Sequence, residues 1–191
     1  MKTVVATPSR SRPPRVLAVC DLLEQQLCLR INALARQPGV RRLFAVVSRL
    51  GDGVFWYVLM AVCALGLGPA GRIAALQMAI AALCGVAVYG VLKRRLVRER
   101  PFVSHAGIVC AAPPLDRYSF PSGHTLHAVL FTTLAIAWFP LLALVLVPFA
   151  LLVAASRVIL GLHYPTDVLA GGLLGWSMAQ TALWLQPPFA L

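Results

Sequence analysis

The chain has 191 residues, 60% of them hydrophobic and only 12% charged, and its 17 Lys and Arg against 6 Asp and Glu give a formal charge of +11. Soluble domains are about half apolar and roughly a quarter charged, so this composition excludes a disordered chain and argues against a water-soluble globule. Nucleic-acid binders carry their bases on a polar surface; no nucleic-acid partner is expected, and the class expected is an all-α integral membrane protein.

Residues 1–15 carry Lys2, Arg10, Arg12 and Arg15 with three prolines, and read as a flexible basic tail. Residues 16–50 read as an amphipathic segment. From Val16 to Arg36 the apolar positions Val16, Val19, Cys20, Leu23, Leu27, Ile31 and Leu34 recur at helical spacing, with Asp21, Gln25, Asn32 and Arg36 opposite. An Asp or Arg near the centre of a spanning helix costs about 2.5–3.5 kcal/mol, so the helix is expected to lie at the interface; a helix packed only against the membrane domain is the alternative. Gln37-Pro38-Gly39 breaks it, and a second basic amphipathic piece runs from Val40 to Leu50. Asp21 and Glu24 interrupt the first apolar stretch too early for a cleaved signal peptide. The five cysteines have no metal-ligand spacing, and no metal is expected.

Residues 51–191 read as one membrane domain. Five apolar runs approach the roughly 17–25 residues needed to cross a bilayer: Gly53–Gly68, Ile73–Leu92, Ser122–Phe139, Leu141–Ser156 and Thr166–Leu185. The first and fourth are short and borrow flanking residues. If all five span, parity puts four helix ends on one side: the end of the second, the start of the third, the end of the fourth and the start of the fifth. Lys93 and Arg100, Ser122 and His124, Ser156 and Arg157, and His163 and Asp167 lie at those four ends.

Each cluster has a chemical reading. Lys93 and Arg100 are seven apart and share a helical face. With Arg94, Arg95 and Arg98 they also form a basic anchor of the positive-inside kind. Pro101 ends that helix. Ser122 is a candidate N-cap and Gly123 admits close approach of an anion to the helix N-terminus. His127 lies one turn beyond His124 and reads as a packed polar residue. Asp167 is within reach of the His163 ring, where a carboxylate on one nitrogen frees the other as nucleophile or base. The pair also reads as a helix-mouth cap, while Arg157 beside it favours an anion site. His105, Asp116 and Arg117, in the 102–120 loop, read as loop surface.

Lys93-(six residues)-Arg100-Pro101, Pro121-Ser122-Gly123-His124 and Ser156-Arg157-(five residues)-His163-(three residues)-Asp167 together resemble the three-part signature of the type 2 phosphatidic acid phosphatase (PAP2) superfamily, which includes vanadium haloperoxidases. The layout of two amphipathic segments before five spans is similar to that of small bacterial undecaprenyl-diphosphate phosphatases. The resemblance implies a phosphatase of the bacterial inner membrane in which His163 attacks phosphorus, Asp167 holds its ring, and His124 protonates the leaving group and then activates water. Lys93, Arg100 and Arg157, with Ser122 and the Gly123 N–H, would hold the phosphate oxygens, without metal or cofactor. The implied partners are the bilayer and a lipid phosphate: phosphatidic acid, phosphatidylglycerophosphate, a polyprenyl diphosphate or a lipid A phosphate. A lipid phosphotransferase, vanadate chemistry and a non-catalytic lipid-binding or transport protein are the other readings. Base counting puts the active face in the cytoplasm if residues 16–50 stay at the surface, and outside if residues 16–36 span. Nothing in the sequence sets an oligomeric state.

Overall fold

A computed structural model describes residues 15–185, with side chains from Glu24 onward. Apart from Arg15, which opens the first helix, the basic tail lies outside the described residues. Those residues contain helices and no strand. The helices are α1 (Arg15–Asn32), α2 (Pro38–Leu50), α3 (Val54–Gly66), α4 (Gly68–Arg95), α5 (Pro101–Ser104), α6 (Gly123–Trp138), α7 (Ala143–Ile159) and α8 (Pro165–Trp184), with 3-10 turns at Ala33–Arg36 and Pro140–Leu142.

Punctuation in the sequence places the helix ends. Pro38, Pro69, Pro101 and Pro165 each sit in the first turn of a helix, where the missing N–H goes unused. Lys93, Arg94 and Arg95 fill the last turn of α4, complementing the negative end of its dipole. Arg100 is extended at φ −75°, ψ 152°, as a residue before proline prefers. The Gly68-Pro69-Ala70-Gly71 break is tighter than expected, because α4 begins at Gly68 and the chain reverses around Leu67. α7 ends in a Schellman motif: Leu162 N–H donates to the Arg157 carbonyl (3.0 Å) and Gly161 N–H to that of Val158 (3.0 Å). Gly161 supplies the positive φ of 74° that this cap requires, and a side chain there would strike the Val109 carbonyl at 2.5 Å.

Two helices, Gly68–Arg95 and Pro140–Ile159, are long and apolar enough to cross a membrane, or three spans if the α2–α3 pair, bent by 48°, counts as one. The outer surface is apolar: Leu76, Ile80 and Leu83 on α4 and Leu169, Leu173 and Trp176 on α8 are exposed, and Leu65 is 89% exposed. Such a belt marks a lipid-facing surface rather than a wetted one. Among lipid tails, burying more Leu gives little drive for helix association, and close backbone approach matters more. Gly171 and Gly175 of α8 provide it, since a Cβ there would lie 2.4 Å from the Ser122 carbonyl oxygen and 2.2 Å from that of Leu126. Trp56 of α3 stacks on Phe131 of α6 with ring centroids 5.2 Å apart, and Met78, Leu126, Leu130 and Leu134 complete the centre of the core.

The first amphipathic segment is oriented differently from its periodicity. Glu24, Cys28, Asn32 and Ala35 are buried, whereas Leu27 and Leu34 are exposed. The inward stripe is polar because it has partners. The Asn32 amide donates to the carbonyls of Val109 (3.0 Å) and Ile159 (2.9 Å) and accepts from Val109 N–H (2.8 Å). Buried polar groups so paired lock α1 to the bundle, and apolar residues are left for the outer face. Of the cysteines, Cys28 and Cys63 are buried, while Cys84 and Cys110 are exposed.

Candidate active site

The end of α4, the start of α6, the end of α7 and the start of α8 meet at one end of the bundle. Ser122 N–H donates to the Asp167 carbonyl at 3.0 Å, joining the last two starts. The Ser122 hydroxyl caps α6 by accepting from Thr125 N–H at 3.5 Å, and it also lies 3.0 Å from the Thr125 hydroxyl. At Gly123 a Cβ would meet the Tyr89 ring at 2.8 Å, so only glycine fits between α6 and α4 without a shift.

His163 follows the α7 cap, and its N–H shares the Arg157 carbonyl (3.1 Å) with that of Leu162. Its ring is buried between an acid and a base. Nδ1 lies 3.5 Å from Asp167 Oδ2, and Nε2 lies 3.3 Å from Arg100 Nη1, which also donates to the Leu162 carbonyl at 2.8 Å. Burial, reinforced by the Arg157, Arg100 and Lys93 cations, holds the His163 pKa well below the usual imidazole value. The ring is therefore neutral at pH 7, with a lone pair directed toward the guanidinium. Asp167 is wholly buried; its Oδ2 accepts the Tyr164 N–H (2.8 Å) at the mouth of α8.

Behind Asp167 stands Arg98. The expectation that this residue belongs to a surface anchor is corrected here: its side chain is 0% exposed, donating to Asp167 Oδ1 at 2.5 Å, to Glu24 Oε2 at 2.9 Å and to the Thr166 hydroxyl at 2.8 Å. Its guanidinium carbon lies 3.8 Å from the centroid of the Tyr164 ring. Glu24 also accepts the Thr166 N–H at 2.5 Å, so α1 reaches the dyad from the far side.

Lys93 and Arg100 are both buried at the site, and the reading of Asp116 as loop surface is also corrected. Its Oδ1 accepts from Lys93 Nζ at 2.6 Å and Arg100 Nη2 at 2.8 Å, and Oδ2 accepts from the Tyr89 hydroxyl. The Lys93 ammonium and the Tyr89 hydroxyl, with Arg100, outweigh burial and hold this carboxyl at about 2. Arg157 is buried and donates to Ser48 of α2. His124 is buried with its Nε2 against Asp52, in the α2–α3 turn, a partner that spacing along the chain could not suggest. His127 instead bonds the Gly123 carbonyl through Nδ1 at 2.9 Å; His105 sets its ring against Tyr164, and Arg117 lies over Tyr118. Among the described residues no three His, Cys, Asp or Glu side chains group as metal ligands do.

A cavity of about 460 Å³ opens beside His124 between α3, α4 and α6. It is lined by the polar Asp52, His124 and Tyr89 and by the apolar Trp56, Met60, Leu83, Val86 and Phe131. The site thus joins a cationic pocket to an apolar slot.

The model of the PAP2 superfamily matches residues 73–189. A decaprenylphosphoryl-5-phosphoribose phosphatase of Mycolicibacterium smegmatis is 37% identical over 73% of this chain and 75% of its own. Phosphatidylglycerophosphatase B of Escherichia coli is 34% identical over 36% of this chain and 29% of its own. In fold, the chain is similar to Aquifex aeolicus LpxE, with a TM-score of 0.71 and 24% identity over 85% of this chain and 95% of that one. The chain therefore belongs to the PAP2 superfamily and is a membrane lipid phosphatase, a hydrolase of phosphoric esters.

Proposed function

We propose that the enzyme removes a terminal phosphate from an isoprenoid-linked or glycerolipid head group through a phosphohistidine at His163, and that the polyprenyl-linked phosphosugars named for its mycobacterial relatives are the first substrates to try. His163 Nε2 attacks phosphorus and the bond to the leaving oxygen breaks. His124, which lines the cavity, gives that oxygen its proton. In the second step His124 takes a proton from water, the water oxygen attacks phosphorus, and the P–N bond breaks to release phosphate. The Asp167 carboxylate faces the Nδ1–H of His163 and fixes its tautomer without taking the proton. Lys93, Arg100 and Arg157, with Ser122 and the Gly123 N–H at the start of α6, take the equatorial oxygens; phosphoryl transfer needs such positioning and charge above all. Asp52 orients His124.

The observation that carries this reading is a buried His163 whose Nδ1 faces the Asp167 carboxylate at 3.5 Å and whose Nε2 lies 3.3 Å from Arg100. The apolar cavity beside His124 supports an amphiphilic substrate whose tail lies between helices while its head group meets the cations. We assign α3, α4, α6, α7 and α8 as five spans of a bacterial inner-membrane protein, the short α3 aided by α2. The outward belt of Leu, Ile and Val supports this assignment.

The test is phosphate release by detergent-purified protein from a panel of polyprenyl-phosphosugar, phosphatidylglycerophosphate, phosphatidic acid and polyprenyl diphosphate. Labelled phosphate should become covalently attached in wild type and not in His163→Ala, and inorganic phosphate rather than a second phospholipid should be the product. Near-normal turnover in His163→Ala or His124→Ala would overturn the scheme.

A further inference from the structure

Two of the cations assigned to phosphate already hold an anion. Asp116 Oδ1 receives both the Lys93 ammonium (2.6 Å) and the Arg100 guanidinium (2.8 Å), while Arg100 Nε donates to the Asp116 carbonyl at 3.1 Å and Lys93 also donates to that of Tyr118. Carboxylate and phosphate oxygens accept from these donors in the same charge-assisted geometry, so one set of N–H groups cannot serve both. The cations lie deeper than the carboxylate: their side chains are 9% and 2% exposed, against 33% for Asp116. Asp116 also lies in the segment between α5 and α6, which has no regular structure there, so it can withdraw toward solvent while the cations stay.

We propose that Asp116 is a specificity-determining residue: its carboxylate occupies the phosphate position as an internal counter-ion that a phosphomonoester dianion displaces and a phosphodiester monoanion does not. The proposal rests on the reading of Lys93 and Arg100 as phosphate donors. An entering ligand must replace two charge-assisted hydrogen bonds to buried cations. A monoester brings three free oxygens and two charges; a diester brings two oxygens and one charge, little more than the carboxylate it would evict. The Tyr89 hydroxyl on Oδ2 anchors the counter-ion. Because the carboxyl is held at about 2, it competes at every ordinary assay pH.

The experiment measures competitive inhibition by inorganic phosphate and by dimethyl phosphate, against whichever lipid of the panel turns over fastest, with the full chain in detergent. Inorganic phosphate should inhibit wild type and dimethyl phosphate should not. In Asp116→Asn the inhibition constant for phosphate should fall five- to tenfold and dimethyl phosphate should become an inhibitor, while Asp116→Glu should resemble wild type. Tyr89→Phe, which keeps every charge, should lower the phosphate constant two- to threefold and decides the matter if Asp116→Asn does not fold. An unchanged or raised constant in the folded variant would mean that Asp116 merely orders the cations, and would overturn the proposal. Arg100→Ala separates the two levels of failure. If it binds phosphate as wild type does, the phosphate pocket itself is wrong; if it binds weakly while Asp116→Asn does not bind more tightly, only the role of Asp116 falls.

Discussion

Asp167 and Asp116 each answer cationic or ionisable side chains in the same site, yet they are built in opposite ways. Asp167 is wholly buried in the first turn of α8, with one oxygen on Arg98 and the other on the Tyr164 N–H and toward His163. Asp116 is a third exposed on a stretch without regular structure, and its partners are the Tyr89 hydroxyl and two cations that also suit a phosphate. The difference lies in what holds each carboxylate. One is fastened by backbone, a helix terminus and a buried guanidinium, and so can orient a neighbour through a reaction. The other is fastened mainly by charges that a stronger anion can take from it.

The largest expected effect lies on the Asp167 side. Asp167→Asn should leave His163 in place but with the wrong tautomer, lowering kcat by about 10³- to 10⁴-fold by analogy with triad carboxylates; steady-state kinetics on the best lipid checks this. If kcat fell less than tenfold, the two carboxylates would be more alike than their burial implies. Arg98→Met comes next, since removing one partner of a buried ion pair leaves an uncompensated charge and costs about 3–5 kcal/mol. Thermal unfolding in detergent should show a large loss for Arg98→Met and a small one for Asp116→Asn.

Gly175→Ala should cost about 1–3 kcal/mol through overpacking, because its Cβ would fall 2.2 Å from the Leu126 carbonyl oxygen. Gly90→Ala, with nothing within 4 Å, is the control expected to cost nothing in thermal unfolding. The smallest effects are those of pH. His163 has a folded pKa well below its unfolded one, so the unfolded chain binds the proton first and stability falls as pH drops below about 6.5. The neutral nucleophile should persist in the same range, placing the acid limb of kcat/KM below pH 6.5. Asp116 has the opposite sign: its contribution is complete above about pH 4 and is lost as pH falls toward about 2. A stability loss between pH 6.5 and 5 that survives in His163→Asn would assign the proton elsewhere.

Local signals in the sequence carry much of the fold. Ser122 as a cap, Pro165 in the first turn of α8 and the break at Gly161 all depend on backbone groups within a few residues, and the ends of α3, α6, α7 and α8 fall close to those read from composition. α4 departs from its reading: it starts at Gly68 and stops at Arg95, so Lys93 and Arg100 do not share a helix and Pro101 opens α5. The α1 face departs from its periodicity for a physical reason. Periodicity assumes that apolar residues face inward, but when the surroundings are apolar a helix with buried polar partners turns Leu27 and Leu34 outward. The same assumption puts Arg98 and Asp116 at the surface, since a lone charge in a basic run or a loop ordinarily seeks water.

The sequence by itself determined that the chain is helical and membrane-bound, because hydropathy and punctuation are local properties. It also placed Lys93, Arg100, Ser122, His124, Arg157, His163 and Asp167 at helix ends. Only the tertiary structure decided which charge answers which: Glu24 to Arg98, Asp116 to Lys93 and Arg100, and Asp52 to His124. Those pairings join residues 16 to 74 positions apart. They exist because burial in a medium that solvates charge poorly forces each ion to find its partner wherever the packed helices bring one.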